Sequence, residues 1–289
     1  MAGEITTNTQ NSAVIPEEWP AEVIAGLYDD SSSIVGRILN KSEMVAKAGD
    51  IMHIPVAPTL ASQSVSQSLG TFTSNQVTLT DATVTINQWE VVALEWLKLT
   101  TKQSLDAWWG MLPSESARVL REKLTNYVLS LYATPTLTAE GSGADHASED
   151  MVLAAIQKLI TAKVDILERP EDCTFAFADT EYAPLKKQGL LDYSRTGEAG
   201  MGGAATIKLP RLYNVPTFIS TQVATSAGQR KNLLFHRNTF AIGIQSNMEM
   251  EIVSTLPNRV LGKMFAMDLL FGAGGAAAGR GLLINTVNA

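Results

Sequence analysis

Between Asp50 and Asp81 lie thirty residues without a single formal charge, rich in Ser, Gln and Thr and flanked by strand-like alternation. A segment this polar cannot make a core of its own. One this poor in charge is also unlike an ordinary solvated linker. Laid across another protein's surface, it would find partners for its backbone and cover for its scattered apolar residues. The chain is therefore a candidate building block rather than a catalyst.

Composition points the same way. At 289 residues the chain can hold one large domain or two modest ones with ample core. Hydrophobic content is an ordinary 45%, but only 18% of residues are charged, against about 25% in a typical globular protein. Low charge at average hydrophobicity implies a surface largely covered by something, and further copies of the same chain would serve. With a net charge of −7 and scattered Lys and Arg, a broad nucleic-acid grip by counterion release is excluded, while local contact is not. Cys173 is the only cysteine, so no intramolecular disulfide forms and a reducing compartment is expected. The first charged side chain is Glu4 and no apolar signal-peptide core follows. No run reaches the roughly 18 apolar residues of a spanning helix. A soluble, cytoplasmically made protein is expected, with no membrane partner.

Along the chain, residues 1–13 read as a polar arm. From Val14 to Leu39 the pattern is amphipathic, with Trp19, Val23, Leu27, Ile34, Val35 and Ile38 as apolar points, and predicts one or two short helices broken at Asp29-Asp30-Ser31. Gly49-Asp50 opens a strand in which Met52, Ile54 and Val56 share a face, with Pro55 and Pro58 marking it as an edge or arm. Val77 and Leu79 stand at opposite parity to Val84 and Ile86, which predicts a one-residue slip near Asp81-Ala82. Together these pieces predict a long two-stranded arm that needs a neighbour to be stable. Ala117, Leu120, Leu124, Tyr127, Val128 and Leu131 predict a helix over 114–133, preceded by Pro113 and followed by Pro135. A Gly/Ser loop over 138–147 leads to a second helix capped by Ser148, with Val152, Ile156, Leu159 and Ile160 inward. Cys173–Ala178 reads as an apolar strand, and Asp179 as the N-cap of a short helix ending at Gly189. Further strands are predicted at 206–209, 217–220, 232–235, 241–245, 249–254, 262–271 and 282–287, with the Gly/Ala run 272–281 as a flexible turn. This order predicts an α+β fold, not repeated βαβ units.

Nothing in the sequence forms a catalytic constellation. His53, His146 and His236 lack metal-ligand spacing with one another or with Cys173. No nucleophile elbow or P-loop occurs, and the glycines of 272–281 follow a strand with no helix after them, unlike a dinucleotide fingerprint. The acidic pairs Glu17-Glu18, Asp29-Asp30, Glu149-Asp150 and Glu171-Asp172 sit where helix starts or solvent explain them. Trp108-Trp109 reads as a core or interface anchor. No catalytic, cofactor-binding or metal-ligating residue is assigned, and no cofactor is expected.

Several stretches, taken in order, resemble the major capsid proteins of tailed bacteriophages with the HK97-like fold. Ile15-Pro16-Glu17-Glu18-Trp19 resembles the opening of that family's N-arm, and Gly49-Asp50-Ile51 through Pro55 the entry to its extended loop, with Val77–Val91 as the return. Tyr182 to Asp192, with Leu185 and Gly189, resembles the helix and turn of the axial domain. Phe235-His236-Arg237-Asn238-Thr239-Phe240-Ala241 resembles a late turn of these coats. Asn214 stands where many relatives carry Gly, and Thr239 where Ala is commoner. The resemblance implies an N-terminal arm over 1–48, an extended β-hairpin loop over 49–90, and a peripheral domain with a spine helix over 91–147. A central axial domain over 148–255 and C-terminal strands over 256–289 returning to the peripheral domain complete it. It implies a shell, icosahedral or prolate, of hexamers and pentamers around double-stranded DNA, contacted non-specifically. Scaffolding protein and portal would be partners, with a decoration protein as a further one, and the virion the location. Rival readings are an encapsulin-type compartment, a ring-forming tail adaptor, and a soluble α+β enzyme built on distant residues such as Asp179 and His236.

Overall fold

The computed structural model describes residues 33–45, 51–56, 80–97, 112–188, 211–245, 250–253 and 262–288. The arm at 1–13, Trp19, Val77, Leu79, Trp108-Trp109, Gly189 and the strand expected at 206–209 lie outside them. The described elements are β1 (Leu39–Asn40), β2 (Ile51–Val56), β3 (Thr80–Thr85), β4 (Gln88–Leu97), α1 (Leu112–Ser130), β5 (Leu137–Glu140), α2 (Glu149–Thr161) and β6 (Cys173–Ala178). They continue with α3 (Tyr182–Lys187), β7 (Arg211–Leu212), β8 (Val215–Ser220), β9 (Thr225–Ser226), β10 (Gln229–His236), β11 (Phe240–Ile244), β12 (Met250–Val253), β13 (Gly262–Gly275) and β14 (Gly281–Val287).

Two sheets organise the chain. A seven-stranded sheet runs β5-β14-β10-β6-β8-β7, with β9 on β10, and mixes parallel and antiparallel pairs. A five-stranded sheet is built around β13, which pairs with β4 along one edge and with β12 and β11 along the other, β1 lying outside β11. The α+β class is as expected, with mixed sheets.

Helix α1 forms because its apolar residues recur at helical spacing. Ala117, Leu120, Leu124 and Val128 are buried in one stripe, with Leu129 beside it. Pro113 falls inside the first turn, where its missing N–H is tolerated. Outside, Arg118 bridges Glu115 and Glu122. The stripe packs on Met267, Leu269 and Phe271 of β13 and also reaches Leu233 and Phe235 of β10, so one core joins both sheets. Tyr127 meets the Phe271 ring edge-on at 5.5 Å. At about 1.5–3 kcal/mol per buried large side chain, α1 contributes substantially to this core.

Helix α2 covers the opposite face of the seven-stranded sheet. Ser148 caps it as expected, its hydroxyl accepting from the Met151 N–H at 3.3 Å. Val152, Ala155 and Leu159 are buried on Phe175, Phe177, Leu234 and Leu282. Since the core shared with the five-stranded sheet closes one face and the α2 cluster the other, β6 is buried at every position.

Several expectations are corrected. Residues 33–39 hold a short 3-10 turn (Val35–Arg37) leading into β1 instead of a helix, though Ile34, Val35 and Ile38 are buried as core. The 138–147 loop begins inside strand β5, which finds a parallel partner in β14. Ile160 is 40% exposed and Ala155 takes the inward place. Asp179 begins a 3-10 turn before α3 and is not a cap residue. The pairing of β2 with β3 runs in unbroken register from Ile51↔Thr85 to Val56↔Thr80, so no slip occurs at Asp81-Ala82. The Gly/Ala run is not a flexible turn throughout, because Gly272–Gly275 complete β13 in register with β11.

Candidate assembly surfaces

The β2–β3 hairpin is the first such surface. Its inward face, Met52, Ile54, Val84 and Ile86, forms a third apolar cluster with Ala241 of β11. The strands beneath are stripped of side chains to receive it. A Cβ on Gly243 would meet Met52, one on Gly272 would strike the Thr85 carbonyl and the Ile86 backbone, and one on Gly274 would touch Val84. The glycines of 272–275 are a seat for the hairpin, and their purpose is invisible until β3 is laid on β13. The other face of the hairpin is open, with Ile51 53% exposed and His53 paired to Asp81 across the strands. That pair, through its hydrogen bond, holds the Asp81 carboxyl below the usual carboxylate range.

Strand β4 supplies the second surface. Trp89 and Val91 project from its outer face, 70% and 50% exposed, while Val92 turns inward to the α1 core. The Trp89 indole N–H donates to Asp268 Oδ2 of the neighbouring strand at 2.9 Å, which fixes the ring on the sheet. Among the described residues β4 pairs only with β13, so a ten-residue edge is left unpaired. A long edge with apolar neighbours is a place where another chain can bind. On α2, Leu153 and Ile160 face outward, and Leu167 follows at 72% exposed.

The histidines remain apart. His53 lies on the hairpin, His146 sits 3.3 Å from the buried Glu181, and His236 ends β10. Glu181 has a structural task, accepting from the Ala147 N–H at 2.7 Å and so holding the approach to α2. Among the described residues no group of three His, Cys, Asp or Glu side chains converges on a metal site. His236 lies opposite Cys173 at the start of β6, whereas Asp179 follows the end of that strand. At about 3.3 Å per residue they stand on the order of 20 Å apart, which removes the suggested catalytic pair. Burial, and behind it Asp172, Asp165 and Glu171, push the Cys173 thiol up to about 12, the opposite of an activated nucleophile. Glu149 receives the Tyr213 hydroxyl, and Asp172 pairs with Arg237 at 3.5 Å, so neither acidic pair is poised for chemistry.

No protein-family model matches the sequence, and no curated protein matches it. Solved structures do. A chain of Mycobacterium phage Che8 superposes with a TM-score of 0.65 at 15% identity, over 88% of this chain and 90% of that one. The capsid of Ralstonia phage GP4 gives 0.66 at 10% identity, over 89% and 91%. The capsid of the native GTA particle gives 0.63 at 12% identity, over 91% and 90%. The chain has the HK97-like capsid fold. At such low identity the agreement is one of fold and not of shared side chains.

Local geometry accounts for the two departures from the coat-protein pattern. Asn214 follows Tyr213 in the turn between β7 and β8, and both are left-handed, with φ of 67° and 50°. Gly is favoured there and Asn is the best-tolerated alternative. Thr239 is fully buried, and its hydroxyl donates to the Arg280 carbonyl at 3.0 Å, a bond that Ala could not make.

Proposed function

We propose that this chain is a major capsid protein, self-assembling into the hexamers and pentamers of a shell around phage double-stranded DNA. One observation carries the reading: the fold coincides with capsid chains along about nine-tenths of both partners, as with the GP4 capsid at 89% and 91%. The open hairpin, the β4 edge and its Trp89–Val91 face are what a subunit that completes itself against neighbours would present.

In this reading residues 1–48 are the arm and 49–90 the extended loop, both overlapping adjacent subunits. Residues 91–147, with α1 as spine, begin the peripheral domain, 148–255 supply most of the axial domain, and 256–289 return. Within that division β11 and β12 share a sheet with β13, while β14 joins β10. The net charge of −7 favours DNA contact by local basic or polar groups over a continuous basic face. Scaffold and portal would be its partners in assembly, with a decoration protein as a further one, and the virion its location.

Negative-stain electron microscopy of the protein expressed alone, with light scattering on the same sample, tests the proposal. Closed shells or hexameric and pentameric rings are expected, with nucleic acid as the packaged content in the phage. A protein cargo would point to a compartment instead. A monodisperse monomer that persists on co-expression with a scaffold would overturn the shell.

A further inference from the structure

The chain crosses between its two sheets at adjoining points. The turn after β10 delivers β11, the segment 276–280 delivers β14, and 134–136 leads from α1 to β5. These crossings are bonded together. Ala276 N–H donates to the Thr239 carbonyl at 2.9 Å, the Thr239 hydroxyl to the Arg280 carbonyl at 3.0 Å, and Thr136 N–H to the Ala278 carbonyl at 3.0 Å. His236, 8% exposed, ends β10 at the first of these crossings. Its Nδ1 accepts from the Asn238 N–H at 3.2 Å, so that nitrogen carries no proton while the turn is closed.

We propose that His236 is an acid-sensitive clasp between the two sheets. Protonation of Nδ1 removes the acceptor of the Asn238 N–H, leaves the turn closed only by the Thr239 N–H on the His236 carbonyl at 2.8 Å, and so loosens the crossing at 236–239. Burial is the first force holding the imidazole below its ordinary value, and the Arg280 guanidinium the second. Asp172 and Asp165 oppose them and Arg237 adds to them. Cys173, opposite in the ladder, stays neutral because burial raises its thiol to about 12. The open turn therefore takes up a proton more readily than the closed one. The stability of the closed turn is full above the ordinary histidine value and is lost as pH falls from there toward the lowered value.

Hydrogen exchange read by mass spectrometry, corrected for intrinsic rates, tests the clasp on the full chain from about pH 7.5 to about pH 5, a range that brackets ordinary histidine. Protection of 236–240 and 276–281 should fall by up to about tenfold per pH unit, the limit for one linked proton, while α1 keeps its own. His236→Asn can still accept from the backbone N–H two residues on, as Asx turns do, but does not titrate, so its profile should be flat. Arg280→Gln removes an opposing cation and should move the midpoint to higher pH. If His236→Asn does not accumulate, the Arg280→Gln shift alone decides. A flat wild-type profile, the same loss in His236→Asn, or an unmoved midpoint in Arg280→Gln overturns the clasp. The readout is on the chain itself, so it stands or fails separately from the shell.

Discussion

Asn232 is fully buried between strands that part company at the end of β6. Its side-chain oxygen accepts from the Ala178 N–H at 2.7 Å and its amide donates to Thr286 at 2.8 Å. Asn232→Ala leaves both partners buried without a bond, and denaturant unfolding should show a loss of about 1–3 kcal/mol. Cys173 makes a different prediction. With its thiol pushed up to about 12, first by burial and then by Asp172, Asp165 and Glu171, the folded chain should resist alkylation at mildly alkaline pH. Denatured chain should react readily, and mass spectrometry of alkylated samples distinguishes the two. Rapid labelling of the native state would mean that β6 is not the buried strand described. From sequence, Cys173 could be placed in an apolar run, but Asn232 could not be told from a surface residue. Its partners come from strands 54 positions away on either side.

At the scale of elements, periodicity located what is locally encoded. The α1 stripe and the Ser148 cap are properties of a few consecutive residues, so they were readable. The glycines of β13 were misread as a turn because absence of a side chain means close approach as often as it means bending. Only the position of β3 decides between them. Gly272→Val would drive a branched side chain into the Thr85 carbonyl. It should unseat the β2–β3 hairpin, raising hydrogen exchange across 51–56 and 80–85 while the α1 core keeps its protection. Unchanged exchange in the hairpin would contradict the seat.

At the scale of the whole molecule, exposed apolar surface and an edge unpaired among the described residues give the chain reason to associate. Deleting 59–75, the uncharged stretch beyond β2, should leave thermal unfolding of the soluble chain nearly unchanged and abolish closed shells in the electron microscope. Shells of normal form from that deletion would remove the loop from the assembly contacts. The candidate surfaces were only half legible. Charge depletion at 51–80 marked the arm, but Trp89 and Val91 alternate like any amphipathic strand, and nothing local says that their face stays uncovered in the isolated chain.

By itself the sequence determined the α+β class, the α1 and α2 helices, the β6 strand, the pairing of an arm around an uncharged segment, and the lack of a local catalytic motif. Each depends on side-chain spacing or composition within a short window. Tertiary structure alone decided which sheet each strand joins, that the glycines seat the hairpin, and that His236 sits where the sheets meet. Those facts depend on contacts between residues far apart in the chain. No local pattern encodes them, because the free energy that selects them is gained only when the distant surfaces are brought together.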